Sequence, residues 1–249
     1  MLEVDGSHGE GGGQLLRMAI ALSVLTEQPI RVARIRAGRK NPGLAAQHAT
    51  AVGALAKMCD AEVDGLRIGS STITVQPGKI RPGAYSFDVG TAGSVTLVLQ
   101  ALIPVAAAAP GPVRLRVVGG TDVPWSPPAD FFARVFLPLL RRVGGRVEVE
   151  VMRRGYYPRG GGIVEAVVQP TREWSPLEFT ELGKVGRVRG IAHVANLPEE
   201  IPKRMKHAAT RRLHGLADVK IEERIYRGED AVGQGGALVL WADTDATML

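Results

Sequence analysis

Apolar residues recur every three or four positions in several stretches of the chain, a spacing that predicts helices. The predicted helices cover residues 15–25, 44–58, 95–109, 127–143 and 198–213. Shorter alternating or β-branched runs, bounded by glycine and proline, predict strands. One precedes the first glycine turn, and the others cover residues 30–32, 61–63, 71–76, 111–117, 146–151, 162–168, 189–194, 219–225 and 237–242. The mixture predicts an α/β (α+β) fold.

The order of these elements begins again in the second part of the chain. A glycine turn, a helix, a strand, a second helix and a hairpin occupy residues 1–78, and the same series follows in 79–170. This period suits a duplicated α/β subdomain, so we expect two βαβαββ units in one large domain, residues 1–181. From about Leu182 the pattern predicts a small inserted α/β domain over 182–249, incomplete because no helix follows its last strand.

Composition narrows the class of protein. Of the 249 residues, 45% are hydrophobic and 22% charged, which is typical of a soluble globular protein. The single cysteine, Cys59, excludes an intramolecular disulfide, and no signal-like or membrane-length apolar run occurs, so we expect a cytoplasmic protein without a membrane partner. A net charge of +6 favours a polyanionic partner, and only 5% aromatic residues favour phosphate contacts over base stacking as its main binding mode.

The first glycine turn, at residues 5–17, is the strongest candidate for chemistry. Glycines of this density turn backbone N–H groups towards an anion, and the following helix adds the positive end of its dipole. Glu10 lies in the turn and Arg17 follows within the helix, a pair that suits a metal-bound phosphate. The spacing matches neither the P-loop nor the dinucleotide fingerprint, so a tight strand-to-helix turn without a ligand remains an alternative.

Other polar positions each have a functional and a purely structural interpretation. Arg36 and Arg39 lie in a glycine- and proline-bounded loop and suit phosphate, whereas Lys40 fits a solvated face equally well. His48 shares an apolar helical stripe, which favours a core histidine. Gln100 is the polar exception in the apolar helix 95–109 and faces either a neighbouring loop or a ligand.

The start of the helix at 127–143 and the following hairpin link add further candidates. Pro127 and Phe131 could grip a purine face, although Phe131 also fits a core stripe with Val135 and Leu139. The link 154–162, RGYYPRGGG, has three consecutive glycines and implies close backbone approach. No metal-ligand cluster stands out, and no partner can be named for His193, His207 and His214.

Taken together, these motifs resemble the RNA 3′-terminal phosphate cyclase family. The resemblance rests on DGSHGEGGGQ at 5–14, IRAGR at 35–39, QH at 47–48, GGTD at 119–122, PPADF at 127–131 and above all RGYYPRGGG at 154–162. They run in family order to about residue 170, with looser similarity beyond.

The resemblance implies a fold and a reaction. The large domain would consist of repeats like the C-terminal domain of a bacterial translation initiation factor. The family transfers AMP from ATP, with a divalent metal (Mg or Mn), to a histidine and then to an RNA 3′-phosphate, which the 2′-OH cyclises. Its partners would be ATP and RNA with a 3′-phosphate end, and the resemblance leaves room for a homodimer.

The same resemblance implies roles for individual residues. Glu10 matches the metal-site carboxylate, and Arg17, Arg36 and Arg39 match phosphate-binding arginines. Polar groups of the same pocket correspond to Gln47 and His48. The nucleotide-binding positions correspond to Gln100, Pro127 and Phe131. For His48, Gln100 and Phe131 the resemblance therefore favours the functional interpretation.

The chain also departs from the family pattern. Family members run on by roughly a further third, which carries the nucleophilic histidine, so we assign that role to none of the five histidines and expect no turnover by this chain alone. Two alternatives remain. One is a non-catalytic RNA-binding relative acting in ribosome assembly, which the retention of Glu10, Arg36, Arg39 and Gln100 disfavours. The other is an enolpyruvyl transferase, which would lack the 154–162 signature.

Overall fold

A computed structural model describes residues 1–178, 180–181 and 183–244, which form three sheets covered by helices. The helices are α1 (Gly13–Thr26), α2 (Ala46–Cys59), α3 (Val95–Ala107), α4 (Ala129–Phe131), α5 (Leu137–Arg142) and α6 (Glu200–Leu213). The strands are β1 (Leu2–Asp5), β2 (Ile30–Ala33), β3 (Glu62–Asp64), β4 (Ile73–Gln76), β5 (Gly83–Asp88), β6 (Val113–Gly119), β7 (Val147–Gly155), β8 (Gly162–Val168), β9 (Val185–Ala195), β10 (Asp218–Tyr226), β11 (Ala231–Val232) and β12 (Gly235–Thr244).

The two predicted βαβαββ units are confirmed, and they share one topology. In the first, the strand order is β1-β2-β4-β3, with β1 and β2 parallel and the other pairs antiparallel. In the second, β5-β6-β8-β7 follows the same rule. Equivalent loops of the two units therefore emerge at equivalent sheet positions, and the first and second glycine turns occupy matching places in the two units.

A single hydrophobic core runs through both units. Strand β6 alternates buried with mostly exposed positions and β8 alternates buried with half-buried positions, as expected for a sheet with one face covered. The covering layer consists of α1, α2 and α3, and α3 is buried on most of its surface, as its continuous apolar sequence predicts. Because residues from Leu16 to Val168 belong to the same cluster, the glycine turns that open α1 and α3 have a common support.

The helix predicted at 127–143 is interrupted. Between α4 and α5 the chain is π-helical over Phe132–Phe136, where the amide of Leu137 bonds the carbonyl of Phe132, five residues back. Pro138 follows in the first turn of α5 and has no amide to donate to an earlier carbonyl, which favours such an irregularity. Two strands, β5 and β11, were missed by the sequence pattern. None of the six residues of β5 is buried, and β11 has only two residues.

The third sheet belongs to the C-terminal segment. Its order is β10-β9-β12, with β10 parallel and β12 antiparallel to β9, and α6 packs on it. The short strand β11 instead joins the second sheet beside β7. The predicted boundary at Leu182 and the last residues, 245–249, lie outside the described residues, so the domain limits stay a prediction. None of the described helices has the length and apolarity needed to cross a membrane.

Candidate functional site

The first glycine turn is held in place by the carboxylate of Asp5. Its Oδ1 accepts hydrogen bonds from the Ser7 amide (3.0 Å) and hydroxyl (2.6 Å), and the Arg34 guanidinium pairs with both carboxylate oxygens. The Arg34 and Ser7 hydrogen bonds hold the pKa of Asp5 below its ordinary value. Asp5 belongs to the first glycine motif, and these contacts show that it holds the turn in shape.

Glu10 lies in this turn and meets the basic loop. Its carboxylate pairs with the guanidinium of Arg39, which comes from the loop after β2. The Glu10 side chain is 80% exposed, so it stays accessible despite this pair. Gly12 lies directly below, where an added Cβ would be 3.2 Å from Arg39. The fold therefore brings Glu10 of the glycine turn and Arg39 of the basic loop together next to Gly12.

Arg17 and His48 form the buried side of the same group. Arg17 is only 6% exposed, and within the described residues its guanidinium has no hydrogen bond or ion pair. Burial lowers the pKa of Arg17. Burial also lowers the pKa of His48 to about 4, with further effects of the Arg36 and Arg17 charges. His48 is thus both buried, as its helical stripe predicts, and adjacent to the arginines.

Arg36 completes the cationic group. One guanidinium nitrogen donates to the Gly43 carbonyl at 2.7 Å, which ties the side chain to its own loop. Burial lowers the pKa of Arg36, and the like charge of Arg39 adds to this effect. Arg39 thus pairs with the exposed carboxylate of Glu10, and Arg17 and Arg36 lie close enough to His48 for their charges to lower its pKa. Because repulsion between uncompensated cations is relieved by an anion, the arrangement is suited to phosphate.

Gln47 joins this group to the second glycine turn. Its Oε1 accepts a hydrogen bond from the Ser94 amide at 2.9 Å, at the start of α3. The Ser94 hydroxyl contacts Thr96 Oγ1 (2.8 Å), which in turn donates to the Pro127 carbonyl (2.8 Å). Polar groups of both repeat units and the start of α4 are therefore connected by a continuous series of hydrogen bonds.

The two remaining nucleotide candidates are positioned but less tightly connected. Gln100 lies one helical turn beyond Thr96, is partly exposed, and its side chain makes no hydrogen bond in the described part of the chain. Phe131 is 37% exposed, whereas its neighbour Phe132 is 1% exposed and belongs to the main core. The core-stripe interpretation of Phe131 is therefore wrong, and its ring is available to a ligand.

A buried ionic cluster lies behind the link at 154–162, and sequence reasoning missed it. The Arg154 guanidinium bonds Asp122 (3.1 Å) and Asp130 (2.9 Å). The His193 Nε2 lies 3.5 Å from the second oxygen of Asp122 and 3.6 Å from that of Asp130. The interpretation of His193 as a histidine without partners is thus wrong, because β9 carries it into a cluster that residues of the second unit form.

Charge and burial act in opposite directions on this cluster. Burial disfavours ionised Asp122, yet the neighbouring His193 and the Arg154 charge hold its pKa below the ordinary value. Burial likewise opposes the charge of Arg154, while Asp122 and Asp130 raise its pKa overall. Three ligand-type atoms, from Asp122, Asp130 and His193, lie within 4.8 Å of one another, contrary to the expectation that no such cluster occurs.

Comparison with known proteins places the chain in a family. The family model described as RNA 3'-terminal phosphate cyclase matches residues 8–243. The chain belongs to the RNA 3′-terminal phosphate cyclase family.

Curated relatives support this membership over nearly the whole chain. The protein named RNA 3'-terminal phosphate cyclase from Methanopyrus kandleri is 49% identical over 249 residues, which cover 98% of this chain and 71% of the relative. Its namesake from Ignicoccus hospitalis is 49% identical over 253 residues (100% and 72%), and that from Nitrosospira multiformis 46% over 249 residues (100% and 70%). The assignment to this family of enzymes therefore rests on similarity along the chain.

In this cyclase family member, the motifs that carried the resemblance fall into two groups. The glycine turn and the basic loop supply the group around Glu10, which includes Arg36 and Arg39 and suits a phosphate. The GGTD, PPADF and RGYYPRGGG motifs supply Asp122, Asp130 and Arg154 to the buried cluster. The second group was visible in the sequence as motif residues, but only the folded chain shows that they contact one another.

Proposed function

We propose that this chain binds ATP and a divalent metal and takes part in converting an RNA 3′-terminal phosphate into a 2′,3′-cyclic phosphate. In the proposed reaction AMP first passes from ATP to the enzyme nucleophile, which releases pyrophosphate. AMP then passes to the RNA 3′-phosphate, which frees the nucleophile, and the vicinal 2′-OH finally displaces AMP to close the cyclic phosphate. The observation that carries the proposal is the cationic group of Arg17, Arg36 and Arg39 around a glycine turn, with Arg17 buried and without a partner among the described residues.

Glu10 fits a metal that is held mainly by phosphate. Mg²⁺ is usually bound through one or two carboxylates together with substrate phosphates and water, and Glu10 offers one accessible carboxylate beside the arginines. A divalent metal (Mg or Mn) at this position would neutralise phosphate charge. Arg39 would then exchange part of its ion pair with Glu10 for contacts with the same phosphates.

The remaining predicted residues surround the proposed nucleotide. Gln47 accepts from the Ser94 amide with its Oε1, and its Nε2 would donate to the nucleotide. His48 is held neutral by burial, so it would act as a polar contact and not as a cation. Gln100, Pro127 and the exposed ring of Phe131 would contact the base, because an aromatic face and a proline ring form an apolar wall for a purine.

ATP binding tests the proposal directly. Titration of the chain with ATP in the presence of Mg²⁺, followed by calorimetry, should show binding that Arg39→Gln weakens at least about tenfold, as expected for a charge-assisted phosphate contact of about 1.5–3 kcal/mol. Arg116→Gln is the matched control, because Arg116 pairs with Glu165 on the second sheet. Equal ATP affinity of the Arg39→Gln and Arg116→Gln variants would contradict the proposal.

The position of the nucleophile requires a separate experiment. We assign no nucleophile within this chain, so incubation with α-labelled ATP should leave no acid-labile adenylate on the polypeptide. A histidine-linked adenylate, located by mass spectrometry of peptides, would show that this part of the proposal is wrong. The names of the relatives favour a cyclase over a non-catalytic RNA-binding protein.

A further inference from the structure

A cleft of about 730 Å³ lies between the link at 154–162 and the C-terminal segment. Tyr157, Pro158 and Arg159 form one wall, and Asn196, Val232 and Gln234 belong to the other. We propose that this cleft binds one nucleotide of the RNA strand upstream of its 3′ end, with the base on Tyr157 and a phosphate on Arg159. The inference rests on the proposed function, since it extends the same substrate to a second site.

The Tyr157 wall is a rigid surface. The preceding residue, Tyr156, is buried, and its hydroxyl is 2.9 Å from His193 Nδ1. Arg154 is fixed by the buried cluster, and the Arg153 Nε donates to the Gly161 carbonyl at 2.9 Å. The amide of Gly160 closes the turn on the Tyr156 carbonyl at 2.7 Å. The loop is thus ordered before any ligand binds, which reduces the entropy lost on binding.

Two side chains of this rigid loop remain uncommitted. The Tyr157 ring is 69% exposed. Arg159 is exposed, and its guanidinium has no hydrogen bond or ion pair in the part of the chain that the structure describes, although its aliphatic stem lies over Gly233. An open aromatic face next to a free guanidinium is the combination that binds single-stranded RNA, by stacking and by phosphate contact.

The opposite wall supplies hydrogen-bonding groups and no negative charge. Asn196 donates from Nδ2 to the Gly233 carbonyl at 2.8 Å, which leaves its carbonyl oxygen as an acceptor. The amide of Gln234 is exposed. None of the residues that line the cleft is a carboxylate, and Arg159 is their only full charge. An anionic ligand with a polar base edge therefore fits this surface better than a basic peptide does.

The second glycine turn connects the cleft to the group around Glu10. Gly160 packs so closely on this turn that an added Cβ would be 2.5 Å from the Thr91 carbonyl. On the other side of the turn, Gly93 lies against Gln47, where an added Cβ would be 2.9 Å from the Gln47 Cβ. The second glycine turn therefore lies between Gln47 and the link that forms one wall of the cleft.

RNA binding by the intact chain tests the inference. The probe is a fluorescein-labelled, ten-nucleotide oligouridylate with a 3′-phosphate, and the readout is fluorescence anisotropy. Tyr157→Ala should weaken binding about tenfold, and Tyr157→Phe should retain the wild-type affinity, because stacking needs the ring and not the hydroxyl. Arg159→Gln should lower the affinity and reduce the slope of log K against log salt by about 0.7, as expected for one lost phosphate contact.

Control variants separate the cleft from general effects. Trp174→Ala removes an exposed aromatic ring outside the cleft, and Arg67→Gln removes an exposed cation outside it; both should bind the probe as wild type does. Wild-type affinity in both Tyr157→Ala and Arg159→Gln, or no RNA binding by the unmodified chain, would overturn the inference.

ATP titration of the same variants distinguishes this inference from the proposed function. The cleft variants should bind ATP with unchanged affinity, because neither side chain belongs to the group around Glu10. Loss of RNA binding with ATP binding intact supports both ideas. An unmodified chain that binds RNA through Tyr157 and Arg159 but shows no ATP affinity would contradict the proposed function and support the cleft.

Discussion

His48 lies among positive charges, and its protonation has a stability consequence. Burial and the charges of Arg36 and Arg17 lower its pKa from 6.5 to about 4. Between these two values the unfolded chain binds a proton at this position and the folded protein does not. The folded state is therefore favoured above pH 6.5 and loses this advantage as the pH falls towards 4.

Urea unfolding at pH 7 and pH 4.5 measures this effect. Over the full window His48 should lower the free energy of unfolding by about 3 kcal/mol, so most of this loss should appear in wild type at pH 4.5. His48→Gln should lose less stability over the same interval. His207→Gln, which changes an exposed histidine on α6, serves as the control. A pH dependence that His48→Gln leaves unchanged would contradict the assigned protonation state.

The close contact of Gly13 with His48 gives a second prediction for single residues. A Cβ at Gly13 would be 1.9 Å from His48 Nε2, so Gly13→Ala must displace the imidazole or the start of α1. We expect it to lower the free energy of unfolding by about 1–3 kcal/mol, measured by urea denaturation. Gly38→Ala, where an added Cβ would meet nothing within 4 Å, should be close to neutral.

At the level of elements, the two repeat units have the same strand order but different turn chemistry. The first glycine turn carries Glu10, whereas the Ser94 amide of the second turn donates a hydrogen bond to Gln47 on α2. The second turn therefore supports the group around Glu10 by holding Gln47 in place. This division could not be derived from the sequence, where both turns look like candidates for anion binding.

Gln47→Met tests the supporting role of this contact. The substitution preserves approximate volume but leaves the part-buried Ser94 amide without its acceptor, which should cost about 1–3 kcal/mol of unfolding free energy. Gln76→Met, at an exposed position on β4, is the matched control and should change stability little. If both variants unfold at the same urea concentration, the hydrogen bond contributes nothing measurable.

Most elements were predictable from the sequence, because local periodicity determines them. The repeat, α1, α2, α3, α6 and both hairpins followed from apolar spacing and glycine turns. The strand β5 was missed because it has no buried residue, and β11 because it has only two residues. The π-helical segment was missed because an i to i−5 bond leaves no periodic signal. At the site, motifs indicated the arginines, but the partners of His193 depend on how distant segments pack.

At the scale of the whole molecule, the buried cluster joins the second repeat unit to the C-terminal segment. Arg154 contacts two carboxylates from the second unit, and His193 comes from β9. Tyr226, at the end of β10, accepts a hydrogen bond from Arg154 Nη2 at 3.3 Å, and its ring centroid lies 5.1 Å from the guanidinium carbon. Removing the only guanidinium of this group would leave buried carboxylates without their main counter-charge.

Arg154→Ala should therefore destabilise the chain strongly. We expect a loss of about 3–5 kcal/mol in the free energy of unfolding, because breaking a buried ion pair leaves an uncompensated charge. Arg116→Ala, which breaks the exposed pair with Glu165, should cost at most about 1 kcal/mol. Thermal unfolding of both variants measures the difference, and similar melting temperatures would contradict the structural role of the cluster.

The short strand β11 has a mechanical consequence. After the chain has left the second sheet and formed β9, α6 and β10, it returns to place Ala231 and Val232 beside Arg154 and Gly155, and only then completes the third sheet with β12. Because of this pairing, the third sheet can move away from the second only if the backbone hydrogen bonds between β11 and β7, next to the ion cluster, break first. Access for a long nucleic acid strand is thus expected without a hinge motion of this segment.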